Sequence, residues 1–372
     1  MRKQDYNTQA ARATVESLRE TINPHLDLPK ARMTCFLMLV LAVIRQRTVS
    51  LVWLAKNTTS SATVDSIYRR FQRFFATCIL KPVAVGRLIL SFLPRPPEGW
   101  VLAMDRTNWQ FGKSHINILV VSVIHGAVGY PIAWRVLPKS TGSGNSRKFH
   151  RIAVMESVLS ILPETEIHAL TMDREFIGKG WLSWLNLMGV SYVVRLKKNA
   201  RVGEHPAEHL AKHGRWKKLA SLRQVVFGQK VYFTAKRINK GRDPWLMVIS
   251  NSFNGCEALS LYQKRWGIET LFGHLKKRGY QFEETHMTRG PRISKLLGVL
   301  AVAFAFCHRW GRKLEEEKGI KLKKHGYRAK SLFRQGLESL HCLFAQPIIH
   351  AKRLAEFFEV ILRKPLAENF VV

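Results

Sequence analysis

Tyr262, Arg265, Glu269 and Lys276 stand at offsets of three, seven and fourteen residues within Leu261–Gly279, LYQKRWGIETLFGHLKKRG. On a helix advancing about 100° per residue, the four side chains fall within an arc of roughly 60°, with Trp266 beside them. Leu261, Ile268, Leu271, Phe272 and Leu275 gather on the opposite side. The spacing therefore predicts a helix with one buried apolar face and one face that presents a carboxylate among cations. Such a face suits chemistry on phosphate, because a divalent ion takes the carboxylate while the arginine and lysine take the phosphate. It suits equally an amphipathic surface helix on which Arg265 and Glu269 form an ordinary ion pair.

Two further acids stand out by context. Asp105 closes the apolar run Trp100–Met104, and Asp173 closes Ile167–Met172. Carboxylates at the ends of strands sit at the rim of a sheet, where sites are commonly built. Three carboxylates can hold two divalent ions, which activate a nucleophile and stabilise the leaving oxygen of a phosphodiester. Spacing alone does not bring the three together, and each also reads as a helix cap or an ion-paired surface acid. His205, His209 and His213 recur every four residues, so a helix would align them either as zinc ligands or along a solvated face. The run KSTGSGNSRKFHR, 139–151, lacks phosphate-loop spacing and reads as a basic surface loop, near DNA or not. Trp109, Trp216, Trp245 and Trp266 lie among basic residues, where tryptophan either stacks on bases or packs.

The elements that must position these residues follow from periodicity. Few Gly or Pro interrupt Pro29–Lys81, which reads as helical. Ser50–Lys56, the polar turn Asn57–Ser61 and Ala62–Phe75 form two helices, the second with Ile67, Phe71 and Phe74 on one face and Arg69, Arg70 and Arg73 elsewhere. That pattern is a helix-turn-helix or a helical hairpin with a basic face. The three prolines of LPRPPEG, 93–99, cannot continue a helix and mark a domain boundary. Beyond it Trp100–Met104, Ile116–Ile124 and Tyr130–Val136 read as strands, the last two a hairpin around Gly126. A helix near 151–162, the strand Ile167–Met172, a helix near 180–187 and the strand Val190–Leu196 complete an α/β domain with a mixed sheet. A basic segment with Val225–Phe227 and Val231–Phe233 around Gly228 suggests a small β insertion, and the C-terminal region reads as helices.

The chain has 372 residues with 46% apolar side chains, enough for two or three domains. Its 60 Lys and Arg against 26 Asp and Glu give +34, which favours a polyanionic partner, nucleic acid before a membrane surface. The excess is spread as +10, +18 and +6 over residues 1–97, 98–310 and 311–372, so it is not a detachable basic tail. Five cysteines without a C-x-x-C pair argue against a structural zinc site or a disulfide framework and read as buried thiols. The start lacks an apolar signal core, and the runs Cys35–Ile44 and Leu296–Cys307 are too short to span a bilayer, so the sequence predicts a cytoplasmic protein.

The Tyr-(2)-Arg-(3)-Glu-(6)-Lys pattern of Tyr262, Arg265, Glu269 and Lys276 resembles the signature helix of the DDE transposases of bacterial insertion-sequence family four. LAMDRTNWQFGKSHINILVVSVI is similar to that family's first-aspartate strand, HALTMDREFIGKGW to its second-aspartate segment and VSYVVRLKKN to the strand that follows; QRTVSLVWLAK and YRRFQRFF resemble its N-terminal region. The resemblance implies an α/β, RNase H-like mixed sheet with a β insertion, about 198–245, between the second Asp and the Glu. Helical regions flank it, giving a DNA-binding region 1–97, a catalytic domain 98–315 and a C-terminal region 316–372. It further implies that Asp105, Asp173 and Glu269 are catalytic and bind two Mg²⁺ ions, with Mn²⁺ substituting. Tyr262, Arg265 and Lys276 would contact phosphates near the transposon end, Trp266 would stack on a displaced base, and Arg174 and Arg195 match positions near the DNA.

The implied reaction is cut-and-paste transposition by end cleavage, hairpin formation and opening, and strand transfer. The implied partners are double-stranded DNA, both transposon ends and target, and a second copy of the chain in a synaptic dimer at the bacterial nucleoid. Two rivals stand beside this reading: an RNase H-like nuclease or resolvase without strand transfer, and an inactive transposase-derived DNA-binding protein.

Overall fold

The computed structural model describes residues 16–58, 60, 62–138, 144–213, 219–238, 244–324, 326 and 328–363. Trp216 and positions 139–143 of the basic loop lie outside the described residues. The chain divides into two compact units, residues 95–271 and residues 1–94 with 272–372. The first begins at the proline-rich break; position 315, expected as the end of the catalytic region, falls inside a continuous helix of the second.

Residues 95–271 build an eight-stranded sheet of order β3-β2-β1-β4-β5-β10-β9-β8. Its strands are β1 (Trp100–Phe111), β2 (Ser114–His125), β3 (Val128–Val136), β4 (Ile167–Met172), β5 (Tyr192–Arg195), β8 (Leu219–Val226), β9 (Gln229–Arg237) and β10 (Trp245–Ser250); β6 (Arg201–Val202) and β7 (His205–Pro206) pair separately. β1 pairs β4 and β4 pairs β5 in parallel, while the remaining ladders of the sheet are antiparallel. The run INILVVSVI explains why β2 lies inside the sheet, between β3 and β1, since Ile116–His125 is buried without alternation, as a strand covered on both faces requires. Crossovers run through α6 (Lys148–Leu159) and α7 (Lys179–Leu187). The expected hairpin around Gly228 forms, with Phe227 and Gly228 both at positive φ as a tight hairpin turn demands. It is not a separate insertion module: β8 and β9 continue the main sheet through β10.

The helix expected over Leu261–Gly279 is broken. α9 (Gly255–Lys264) stops at Arg265, and α10 (Trp266–Leu275) ends before Lys276. Its apolar side is as expected: Leu261, Ile268, Leu271, Phe272 and Leu275 are buried. Two glycines set the start of α10. A Cβ on Gly267 would stand 3.2 Å from the Gly129 nitrogen, and one on Gly129 would stand 3.2 Å from the Gly267 carbonyl oxygen. The helix backbone therefore lies directly against the β2–β3 hairpin, which fixes the height of Glu269 over the sheet. The helix expected to carry three histidines carries two: α8 (Ala207–His213) holds His209 and His213, while His205 precedes it in β7, and successive rings stand 5.0 and 4.6 Å apart. Among the described residues no three His, Cys, Asp or Glu side chains are grouped to hold a metal.

The other unit is helical: α1 (16–26), α2 (Lys30–Gln46), α3 (Leu51–Lys56), α4 (Val64–Thr77), α5 (Pro82–Ser91), α11 (Gly290–Lys318), α12 (Leu332–Ala345) and α13 (Ala351–Leu362). The α3–turn–α4 pair forms as the sequence indicates. Thr63 caps α4 by accepting from the Ser66 N–H at 3.3 Å, and Ile67, Phe71, Phe74 and Phe75 are buried. At 29 residues α11 outruns its apolar core; it is long and apolar enough by length and composition to cross a membrane, but 78% of that stretch is buried inside the protein. Gly311 and Gly336 let α11 and α12 touch backbone to backbone, since a Cβ on Gly336 would lie 1.8 Å from the Cys307 carbonyl oxygen. Of the five free cysteines, Cys35, Cys78 and Cys307 are buried, whereas Cys256 and Cys342 are exposed, against expectation for the last two.

His274 is buried against Phe333 and Phe304, with ring centroids 4.5 and 6.0 Å away. Burial, helped by the charge of Arg278, pushes its pKa down to about 4. An unfolded chain binds this proton below about 6.5, the folded one only near 4, so the stabilising contribution is complete above about 6.5 and is lost as pH falls towards 4. Thermal melts of His274→Phe should accordingly show a smaller loss of stability between pH 6.5 and 4 than the wild type; parallel curves would contradict the assignment.

Candidate active site

Three neighbouring parallel strands bring the site together. Met104 pairs with Met172 and Met172 with Val194, so the next residues, Asp105 within β1, Asp173 just past β4 and Arg195 at the end of β5, stand at one level. Asp105 is not at the end of its strand, as the apolar run suggested. β1 runs on to Phe111 beside β2, and Asp105 marks the point where it parts from β4. Parting exposes the carboxylate to the gap between strands while its backbone stays held by β2.

Arg265, at the junction of α9 and α10, reaches this gap. Its Nη1 donates to Asp105 Oδ2 at 2.9 Å and its Nη2 donates to the Glu269 carboxylate. The guanidinium is 8% exposed and lies over the Tyr262 ring, 5.5 Å from its centroid. The Tyr262 hydroxyl is 3.4 Å from Asp173 Oδ1, to which it donates. Tyr262, Arg265, Glu269 and both aspartates thus form one chain of contacts. Burial pushes the Asp105 carboxyl up to about 6, against the pull of Arg265 and of the Arg106 N–H, with Asp173 and Glu175 adding to the rise. Burial also raises the Tyr262 pKa. For Arg265 burial works against the charge, but Tyr262, Asp105 and Glu269 outweigh it and raise its pKa.

Behind the acids lies a network that sequence reasoning missed. Arg106 grips Glu175 with both ends of its fork, Nε to Oε1 at 2.6 Å and Nη2 to Oε2 at 2.7 Å, and also donates to Asn117 Oδ1, the Gly144 carbonyl and Asn145 Oδ1. The buried Arg151 donates to the carbonyls of Ser146, Glu175 and Ile177 at 2.7, 2.8 and 3.2 Å. Burial lowers its pKa to about 10, which leaves it charged at neutral pH. The residues just after each aspartate are thereby cross-linked, as a bidentate pair does with more geometric specificity than a single bond. The signal was present as two Asp-Arg pairs, Asp105-Arg106 and Asp173-Arg174, only one of which the reading used.

The remaining candidates are dispersed. Trp266 is 64% exposed beside Arg265, and Arg174 is exposed. Lys276 lies past the end of α10 and pairs with Glu283 at 2.7 Å. In the helical unit Arg69 and Arg73 line a cleft of about 790 Å³ with Arg292, whose helix is tied to α4 by Lys295 Nζ donating to the Phe75 carbonyl at 2.9 Å. Arg70 does not line that cleft; its Nη1 is 4.0 Å from Met38 Sδ. Trp109 and Trp245 are partly buried within strands.

The donor set suits a divalent ion: carboxylates in a partly buried gap, one of them raised by burial and matched by a single neighbouring cation. Their present spacing does not. Among the described residues no three such donors meet, and a guanidinium stands between Asp105 and Glu269.

An eight-stranded mixed sheet with flanking helices, bearing acids where adjacent parallel strands part, makes this an α/β protein with an acidic site at the sheet. Residues 96–306 match the family described as Transposase DDE domain, and the chain belongs to that family. It is a DDE transposase, an enzyme of DNA transposition and recombination, and its eight-stranded sheet with flanking helices is consistent with an RNase H-like DDE fold. No curated protein matches the chain.

Proposed function

We propose that this transposase moves DNA by cut and paste, with Asp105, Asp173 and Glu269 as its catalytic acids. The observation that carries the reading is the chain of contacts joining Asp105, Arg265, Glu269, Tyr262 and Asp173 across segments up to 160 residues apart. The three acids would hold two Mg²⁺ ions, or Mn²⁺ in their place; when bound, such ions activate the attacking water or 3′-OH and stabilise the leaving oxygen. Tyr262, Arg265 and Lys276, the signature of insertion-sequence family four, would grip phosphates near the transposon end. Trp266 is the one aromatic of the signature segment with most of its surface free, which supports its stacking on a displaced base during hairpin formation.

Arg174 and Arg195 flank the second aspartate and would steer the adjacent strand. The helical region 1–97 would bind DNA through Arg69, Arg70 and Arg73; the cleft shared with Arg292 supports the first and third. The excess of basic residues over the whole chain is in keeping with a synaptic dimer that holds two ends and a target at the nucleoid in the cytoplasm.

The test uses a duplex carrying the element's own end. Wild type should nick, form a hairpin, open it and join the end to a target. Trp266→Ala should slow hairpin formation about tenfold or more while nicking stays near wild type. Equal loss of both steps would remove the stacking role, and cleavage without joining would favour the nuclease or resolvase rival. Binding without any cleavage would favour the inactive DNA-binding rival.

A further inference from the structure

We infer that Arg265 stands in for the metal in the DNA-free site, so that metal entry and DNA engagement are one exchange. The inference rests on the assignment of Asp105 and Glu269 as metal ligands. Two carboxylates facing one gap repel unless a cation lies between them, and here the guanidinium bridges Asp105 Oδ2, at 2.9 Å, and the Glu269 carboxylate. It occupies the gap between the two carboxylates, and among the described residues no three donors meet there.

The bridge is built to open. Arg265 is the one residue between α9 and α10, and its backbone is helical at φ −52° and ψ −31°, so the side chain can leave by rotation about its own bonds while both helices stand. Glu269, with a third of its side chain exposed, already borders solvent, as does the neighbouring Trp266. A DNA phosphate offers the guanidinium the same bidentate partner that the carboxylates do. Once the arginine moves to phosphate, Asp105 and Glu269 lose their shared cation, and a divalent ion would take its place. The exchange makes the acids poor metal ligands until DNA is present, which guards against cleavage by a loaded but unengaged enzyme. Coupling of this kind is reciprocal: DNA raises metal affinity by the factor by which metal raises DNA affinity.

The test is Mn²⁺ binding to the full chain, followed by electron paramagnetic resonance of free Mn²⁺ and by calorimetry, with and without a short mixed-sequence duplex. In wild type the duplex should tighten Mn²⁺ binding about tenfold or more. In Arg265→Ala binding should already be tight without DNA, by about the same factor, and the duplex should add little. Arg265→Lys, which keeps the charge but cannot bridge two carboxylates with a planar fork, should fall between. Asp105→Asn reads the underlying assignment, since it should lose Mn²⁺ binding in every condition. Loss in Asp105→Asn with no gain in either Arg265 variant overturns the exchange alone; unchanged Mn²⁺ binding in Asp105→Asn overturns the metal assignment itself. Circular dichroism of each variant separates these outcomes from misfolding, and if Arg265→Ala does not fold, the lysine variant decides.

Discussion

Asp105→Asn, Asp173→Asn and Glu269→Gln should each reduce cleavage of a transposon-end duplex by about a thousandfold or more, with binding of the same duplex reduced far less. Each change keeps the shape of the side chain and removes its charge. On the proposed assignment, binding would be spread over cations throughout the chain, whereas cleavage would depend on the negative charge at one gap in the sheet. Asp105 has the most structural support, because it is buried at the parting of β1 and β4 and held by Arg265. For Asn at 105 the Arg265 bridge also loses an ionic partner, so this variant should soften the junction of α9 and α10, whereas Asp173→Asn keeps a group that accepts from Tyr262. Single-turnover cleavage assays beside gel-shift measurements would read both quantities. Any variant of the three that still cuts at a wild-type rate is not part of the catalytic set.

Gly336→Ala should be the most damaging single methyl in the helical unit. The added carbon would meet the Cys307 carbonyl oxygen at 1.8 Å and the Gly311 nitrogen at 2.8 Å, both backbone atoms of a long buried helix. A flexible side chain could yield, but here two helices must move apart, and the contacts along their whole interface loosen together. Overpacking of this kind costs about 3 kcal/mol or more, which corresponds to a fall in Tm of roughly 5–10 °C for a domain of this size. Differential scanning calorimetry would measure it, and a variant melting with the wild type would mean that α11 and α12 do not touch as described. Because Gly336 lies in α12, outside the sheet-bearing unit, cleavage per folded molecule should change little at temperatures where the variant remains folded.

How far the sequence could be read follows from the range of each interaction. The strands and helices of residues 95–271 were visible because apolar runs, turn glycines and helical spacing are local signals. The apolar side of the signature segment was equally visible, since Leu261, Ile268, Leu271, Phe272 and Leu275 are all buried. The break at Arg265 was not visible, because Gly267 beside it reads as one helical glycine unless its packing against Gly129 is known. The break coincides with a side chain pulled towards Asp105, 160 residues earlier, and a periodicity argument sees no such pull. Nor could periodicity show that β1 continues past Asp105, since TNWQF is half-exposed and polar in part and is held as a strand by pairing with β2. The Arg106–Glu175 clamp joins residues 69 apart, and its members read singly as surface charges. The sequence singled out three acids by their context; what it withheld was the partners of their side chains, which only tertiary structure supplies.

The common level at which Asp105, Asp173 and Arg195 stand has a consequence for how this protein can change. Within a strand, a shift of one residue turns every side chain to the opposite face. Loss or gain of a single residue in Trp100–Met104 would bring Met104 or Arg106 to the place of Asp105, putting a thioether or a cation where the carboxylate belongs. The same change in a surface loop would leave the ladder untouched. If Asp105 serves as proposed, its place is recorded in a hydrogen-bond register as well as in its own codon, and a frame-preserving deletion of one codon there should silence the protein as completely as loss of the acid.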